Sequence, residues 1–174
     1  AAGGVELVAG DLDNTDALKQ LVTGSDAVIH AAGAVRGSCR ADFDLINVDG
    51  TAHLLAAIKH LRTPPRLLML SSLAAREPQL SWYAGSKRAA EALFAVEPDL
   101  DWTILRPPAV YGPGDKEMLP IFQLMARGLA FVPGALDARI SLIHVADLIA
   151  AIIACLRCEQ TSHQTLTLCD GKAG

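Results

Sequence analysis

Tyr83-Ala-Gly-Ser-Lys87 sets a phenol four residues ahead of an ammonium group, and the serine pair Ser71-Ser72 lies just upstream, after the apolar run Leu67-Leu68-Met69-Leu70. On a helix, positions i and i+4 share a face, so the lysine stands beside the tyrosine. A tyrosine phenol ordinarily titrates near 10, and poising one near 7 takes about 4 kcal/mol of preferential stabilisation of its anion. A neighbouring ammonium supplies part of that. A serine at the mouth of an adjacent strand can hold a carbonyl or alcohol while the tyrosine passes the proton, as hydride moves to or from a nicotinamide. Tyr-x-x-x-Lys by itself also occurs in helices where the tyrosine is half buried and the lysine solvated. Its place here, opening a helix directly after a strand that ends in Ser-Ser, favours chemistry.

The elements that must position these groups alternate along the chain. Val5 to Val8 reads as a short strand, followed by the turn-and-cap cluster Gly10-Asp11-Leu12-Asp13-Asn14 and a helix from about Thr15 to Val22. Asp26 to His30 reads as a second strand, running into Ala31-Ala32-Gly33-Ala34. From about Asp42 to Leu61 the apolar residues Leu45, Ile46, Leu54, Leu55 and Ile58 recur at helical spacing, closed by Thr63-Pro64-Pro65. Leu67 to Leu70 is the third strand. The Tyr83 helix follows, to about residue 96, and Trp102 to Leu105 is a fourth strand stopped by Pro107-Pro108. After an irregular stretch come a strand at Ile140 to Ile143, an apolar helix at Val145 to Leu156 and a last strand at Thr165 to Leu168. Alternating strands and helices, with strands apolar on both faces, predict an α/β domain whose parallel sheet is covered by helices on each side. Such sheets bind ligands at the carboxyl ends of their strands, where Asp11, Gly33, Ser72 and Arg106-Pro107 all fall.

Together these residues resemble the extended branch of the short-chain dehydrogenase/reductase family, often labelled NAD-dependent epimerase/dehydratase, over essentially the whole chain. Gly10-Asp11-Leu12 resembles its adenine-contacting turn, and Asp26-Ala-Val-Ile-His-Ala31-Ala32-Gly33 its strand and turn against the cofactor. Asn47-Val-Asp-Gly-Thr51 matches its Asn-x-x-Gly-Thr segment, whose asparagine supports the active site, and Ser72, Tyr83 and Lys87 match its catalytic trio. Arg106-Pro107-Pro-Ala109-Val-Tyr-Gly-Pro-Gly114 resembles the loop that packs on the nicotinamide, and His144-Val-x-Asp147 the start of a late structural helix. The resemblance implies catalysis by Ser72, Tyr83, Lys87 and Asn47. It implies cofactor contacts from Asp11, Leu12, Ala31, Ala32, Gly33, Ser71, Tyr83, Lys87, Arg106, Pro107 and Ala109. The cofactor would be NAD or NADP; the strand end that chooses between them is not in these residues.

The chain also departs from that family. Its Gly-x-x-Gly-x-x-Gly turn, whose amides and helix N-terminus hold a pyrophosphate, has no counterpart in residues 1–174. Ala1-Ala-Gly-Gly4 precedes the first strand instead of following one and reads as a linker. We therefore expect a single, partial Rossmann-type domain over residues 1–174. It lacks the first two strands of a sheet ordered 3-2-1-4-5-6-7, and residues of about 107–143 contribute a small substrate-binding lobe. We expect the natural protein to be longer at both ends, or this piece to be altered in fold and impaired in cofactor binding. Where sugar-nucleotide members carry Arg-x-x-Asn, this chain has Ala109. Where they carry Arg-x-x-x-His, Arg139 stands five residues before His144. Met118, Leu119, Phe122, Leu124 and Phe131 either line an apolar substrate cleft or pack a small helical lobe.

Composition narrows the partners. A net charge of −4 with no basic block argues against nucleic acid, and the longest apolar run, Leu148 to Leu156, is far short of the roughly 20 residues that span a bilayer. Cys155-x-x-Cys158 lies in a helical run and finds no matching spacing at Cys39 or Cys169, and His30, His53, His60 and His163 share no ligand spacing, so no metal is expected. Four cysteines without a leader suit a reducing cytoplasm. Relatives dimerise through the helices that correspond to residues of about 42–61 and 83–97, a candidate homodimer face. The functional expectation is an NAD(P)-dependent oxidoreductase acting on a secondary alcohol or carbonyl of a small molecule. The alternatives are a nucleotide-sugar epimerase/dehydratase, which begins with the same trio, and a non-catalytic dinucleotide sensor or scaffold.

Overall fold

The computed structural model describes residues 4–129 and 140–169. Four strands, β1 (Ala27–His30), β2 (Arg66–Leu70), β3 (Trp102–Arg106) and β6 (Gln164–Thr167), form one parallel sheet in the order β1-β2-β3-β6. That is the right-hand half of the expected doubly wound order. A second, two-stranded parallel sheet joins β4 (Ala109–Tyr111) to β5 (Leu142–His144). The helices are α1 (Thr15–Val22), α2 (Arg40–Asp44), α3 (Gly50–Lys59), α4 (Trp82–Ala95), α5 (Leu119–Ala126) and α6 (Val145–Arg157).

Alternation along β2 divides the core between the two faces of the sheet, because successive strand side chains point to opposite sides. Leu67 and Met69 pack with Leu18, Leu54, Ile58 and Phe94, from α1, α3 and α4. Leu68 packs with Leu105 and with Leu148, Ile152 and Cys155 of α6. Burial on both faces is what a parallel sheet requires, and it explains why these strands read as unbroken apolar runs. Local signals set the helix starts: Asn14 caps α1 by accepting from the Ala17 amide at 3.0 Å, and Ser81 caps α4 by accepting from the Ala84 amide at 3.1 Å. Among the described residues, no helix is long and apolar enough to cross a membrane.

Three expectations need correction. Val5 to Val8 forms no strand; Val5 and Leu7 are 91 % and 89 % exposed. The expected sheet order sets this segment apart from β1 by two further strands. Without a neighbour to complete its hydrogen bonds, an apolar run does not become a strand. The stretch from Asp42 to Leu61 is not one regular helix. A π-helical turn at Leu45–Asp49 separates α2 from α3, so Asn47, Thr51, Leu54, Leu55 and Ile58 face inward while Leu45 and Ile46 are exposed. Finally, Pro107-Pro108 ends β3 but does not open an irregular segment, because β4 begins at the next residue. Prolines lack the N–H that would continue a ladder, yet they deliver the chain to a second sheet.

Phe94 is 1 % exposed and meets Trp102 edge-on, with ring centroids 6.2 Å apart. Truncation to alanine should lower unfolding free energy by about 3–5 kcal/mol in urea titrations. Leu7→Ala, at an exposed position, should change it by less than about 0.5 kcal/mol.

Candidate active site

A cleft of about 790 Å3 opens at the carboxyl ends of β1, β2 and β3, with Gly33, Ser72, Tyr83 and Lys87 on its walls and Pro107 and Ala109 opposite. Ala31 and Ser71 line it as well. Its geometry follows from α4. Ser81 caps the helix, so Tyr83 falls in the first turn, where unpaired amides present positive partial charge, and Lys87 lies one turn further on. The Tyr83 ring stands edge-on to Phe43, with centroids 6.3 Å apart. Ser72 ends the β2 segment, and its hydroxyl accepts from the Ala74 amide at 3.2 Å.

Lys87 is 5 % exposed. Its Nζ donates to the Leu70 carbonyl at 3.2 Å, the one protein hydrogen bond it makes among the described residues, so further N–H groups remain for a ligand. Burial lowers the Lys87 pKa, against the opposing pull of Glu91 one turn along. Gly33 presses on this group: a Cβ there would lie 2.7 Å from Lys87 Nζ and 2.9 Å from Asn47 Oδ1. Only glycine lets the loop after β1 approach so closely.

Asn47, in the π-helical turn, is 2 % exposed and ties three elements together. Its Oδ1 accepts from the Ala34 amide at 2.8 Å, while Nδ2 donates to the Ala34 carbonyl at 3.0 Å and to Ser86 Oγ at 2.8 Å. Ser86 in turn donates to the Tyr83 carbonyl at 2.9 Å. Single π turns recur at functional sites because they re-aim one side chain without breaking the helix.

Of the remaining candidates, Asp11, Leu12 and Ala32 line smaller neighbouring pockets beyond the Ala31–Gly33 turn. Asp11 Oδ1 accepts from the Asp13 and Asn14 amides at 3.1 and 3.0 Å, which shapes that turn. Leu12 packs onto Gly50 of α3, where a Cβ would come within 2.5 Å of it. Arg106 does not line the cleft. Its Nε and Nη2 donate to the two carboxylate oxygens of Glu91, at 2.8 and 2.5 Å.

Two buried residues of this region escaped the sequence reading. Glu91, 5 % exposed, also accepts from Ser71 Oγ at 2.5 Å and so joins α4 to the ends of β2 and β3. Its signal was there: Tyr83, Lys87 and Glu91 are spaced by four. His30, also 5 % exposed, meets Thr51 Oγ1 through Nε2 at 2.9 Å, and Thr51 donates to the Asn47 carbonyl at 2.6 Å. With the Thr51 proton so used, His30 Nε2 is the donor. Burial first, and the nearby Lys87 charge second, lower its pKa from 6.5 to about 4. No lone sequence pattern marks such a histidine.

The outer lobe is simpler. Phe122 packs against Tyr111 at 5.5 Å and borders a separate cavity with His144 and Asp147; Leu119 and Leu124 are exposed, and none of these, nor Met118, borders the Tyr83 cleft. Phe131 and Arg139 lie outside the described residues. His144 caps α6 through Nδ1, accepting from the Ala146 amide at 3.2 Å. Cys155 is buried in α6, Cys158 follows it, and all four cysteines are free thiols. Among the described residues no group of three or more His, Cys, Asp or Glu side chains could hold a metal.

Residues 1–167 match the model of the NAD dependent epimerase/dehydratase family. A ceramide reductase from Caulobacter vibrioides is 42% identical over 154 residues, which cover 88% of this chain and 47% of that protein. The chain thus spans about half the length of this curated relative. Among solved structures, RMD from Pseudomonas aeruginosa, complexed with NADPH, superposes with a TM-score of 0.77 at 26% identity, covering 97% of this chain and 68% of the other. A UDP-glucuronic acid 4-epimerase from Bacillus cereus, in complex with NAD, gives a TM-score of 0.77 at 22% identity, covering 94% and 60%, and shares the fold.

Removing the Glu91 carboxylate leaves a largely buried guanidinium unpaired, so Glu91→Ala should cost about 3 kcal/mol in chemical denaturation. The lowered His30 pKa means that the unfolded chain binds a proton between pH 6.5 and 4 that the folded chain refuses, so stability must fall as pH drops through that window. Compared with His30→Asn, which retains a donor toward Thr51, the unsubstituted chain should lose about 3 kcal/mol more between pH 7 and pH 4.

Proposed function

Since the chain belongs to the NAD-dependent epimerase/dehydratase family, we propose that it carries the acid/base site of an NAD(P)-dependent oxidoreductase of the extended short-chain type, acting on a secondary alcohol or carbonyl. The observation that supports this reading is the pairing of Tyr83 with the buried Lys87 one turn along α4, on the same cleft as Ser72. Tyr83 is the general acid/base: in the reductive direction its phenol gives its proton to the substrate oxygen, and in the oxidative direction its phenolate takes one. Lys87 lies one turn along the same helix face, and Tyr83 sits in the first turn of α4. Ser72 donates to the same substrate oxygen and fixes its distance from the phenol. Asn47 is a positioning residue, holding the Ala34 loop and, through Ser86, the first turn of α4.

The residues suit a nicotinamide dinucleotide. Lys87 has donors to spare for ribose hydroxyls, and Gly33 leaves backbone close beside them. Ala31, Ser71, Pro107 and Ala109 would border the nicotinamide end, and Asp11, Leu12 and Ala32 the adenine end. When bound, that group supplies or accepts the hydride. Arg106 serves here through Glu91, holding the ends of β2 and β3 against α4. Residues of about 107–143 serve as the substrate lobe of this one domain. Four free thiols support a cytoplasmic enzyme, and the exposed Leu45 and Ile46 support a homodimer through the helices around 42–61 and 83–97.

Net oxidoreduction is favoured over epimerisation or dehydration by Ala109, which stands where sugar-nucleotide members present an asparagine, and by the similarity to a reductase at 42% identity. A sensor would have no use for the proton-transfer tyrosine. Titrating NADH and NADPH into the chain should give saturable fluorescence enhancement with one of them. Tyr83→Phe should preserve that binding while lowering kcat by about 10²- to 10⁴-fold. A Tyr83→Phe protein with full turnover would exclude the assigned role, and binding of neither cofactor would mean that these 174 residues are not by themselves a competent enzyme.

A further inference from the structure

We propose that the cleft beside Tyr83 selects an uncharged substrate with a hydrocarbon chain attached to its carbonyl or carbinol carbon, and rejects phosphorylated and nucleotide-linked sugars. The proposal deepens the oxidoreductase reading and rests on it for the reacting group. Its basis is the chemistry of the wall. Leu73 and Leu80, from the segment that leads into α4, face the cleft together with Pro107, Pro108, Val110 and Leu148. Leu80 is 75 % exposed and the neighbouring Trp82 is 54 % exposed, so the apolar wall continues onto an apolar rim.

Among the described residues of the wall, the groups suited to an anion are confined to the inner, catalytic end, at Lys87 and the first turn of α4. Lys87 is the one cationic residue among the described residues that line it, and its ammonium is buried at the inner end against the Leu70 carbonyl. The Arg106 guanidinium is closed by both oxygens of Glu91. Phosphate recognition relies on arginine forks, lysines or free backbone amides. Pro107 and Pro108 remove two successive N–H groups from this wall, and the Leu73 amide already donates to the Pro107 carbonyl at 2.8 Å. Glu77, the one carboxylate among the described residues that line the cleft, repels an incoming phosphate. Apolar area remains as the source of affinity, and it grows with each methylene a substrate adds.

The test separates binding from turnover. Straight-chain 2-ketones from butanone to octanone, and UDP-glucose, are each titrated into the 174-residue chain and followed by saturation-transfer NMR, and then assayed with NADH and NADPH at 340 nm. Affinity should rise about threefold to fourfold per methylene and be insensitive to salt, with no saturable signal from UDP-glucose. Leu80→Lys, at an exposed position that folding tolerates, should flatten the chain-length series. A flat series with the unsubstituted chain, salt-sensitive binding of UDP-glucose, or binding of neither class would overturn the proposal. If the ketones bind with the expected series and a cofactor binds as well, but no absorbance change follows, the oxidoreductase reading fails and the selectivity of the cleft stands.

Discussion

The site depends on the burial of one ammonium group. Lys87 is 5 % exposed, and desolvating its charge is unfavourable unless the surroundings compensate. Two features do so together, the Leu70 carbonyl at the end of β2 and the Glu91 carboxylate one helical turn away, while Gly33 and Asn47 Oδ1 close in on the same space. Each comes from a different part of the chain. Their convergence brings the end of β2, the loop after β1 and the π-helical turn to the same few ångströms.

Glu91 extends the same logic away from the cleft. Because it accepts from Ser71 and from both sides of the Arg106 fork, the ends of β2 and β3 are held at fixed positions against α4. Ser72 follows Ser71 directly, so a charge pair that never touches the cleft sets where its hydroxyl stands relative to Tyr83. A bidentate guanidinium-carboxylate pair suits this role because its planar geometry restricts angle as well as distance.

Much of the architecture was legible because periodicity reports burial. Strands β1, β2, β3 and β6 were read within a residue or two as apolar runs, and α1, α4 and α6 from their helical spacing and caps. Tyr83, Lys87 and Ser72, read from a spacing tied to element ends, line one cleft in the structure, whereas Asn47 was read only from the family resemblance. What remained hidden depended on partners distant in sequence. The apolar pattern of Val5 to Val8 is a strand pattern, but strand formation requires a neighbour, which pattern alone does not reveal. Leu45 and Ile46 fit an α-helical stripe, and the π turn that moves them outward is driven by the buried contacts of Asn47 with Ala34 and Ser86. Arg106 was read as a cofactor contact from the resemblance of its loop and its place at a strand end; in the structure it pairs with Glu91, on another element.

The parallel sheet also sets how this chain must fold in time. Ala27 pairs with Arg66, Leu67 with Trp102, and Thr103 with Gln164, so each strand pairing closes a loop of tens of residues. The entropy of those closures is lost before the contacts that reward it are made, which slows barrier crossing relative to a helical bundle of the same size. Meanwhile β1 presents an outer edge with no strand beside it among the described residues, and Ile29 on that strand is 48 % exposed. Along that edge the backbone donors and acceptors of β1 stand ready to take up a further strand.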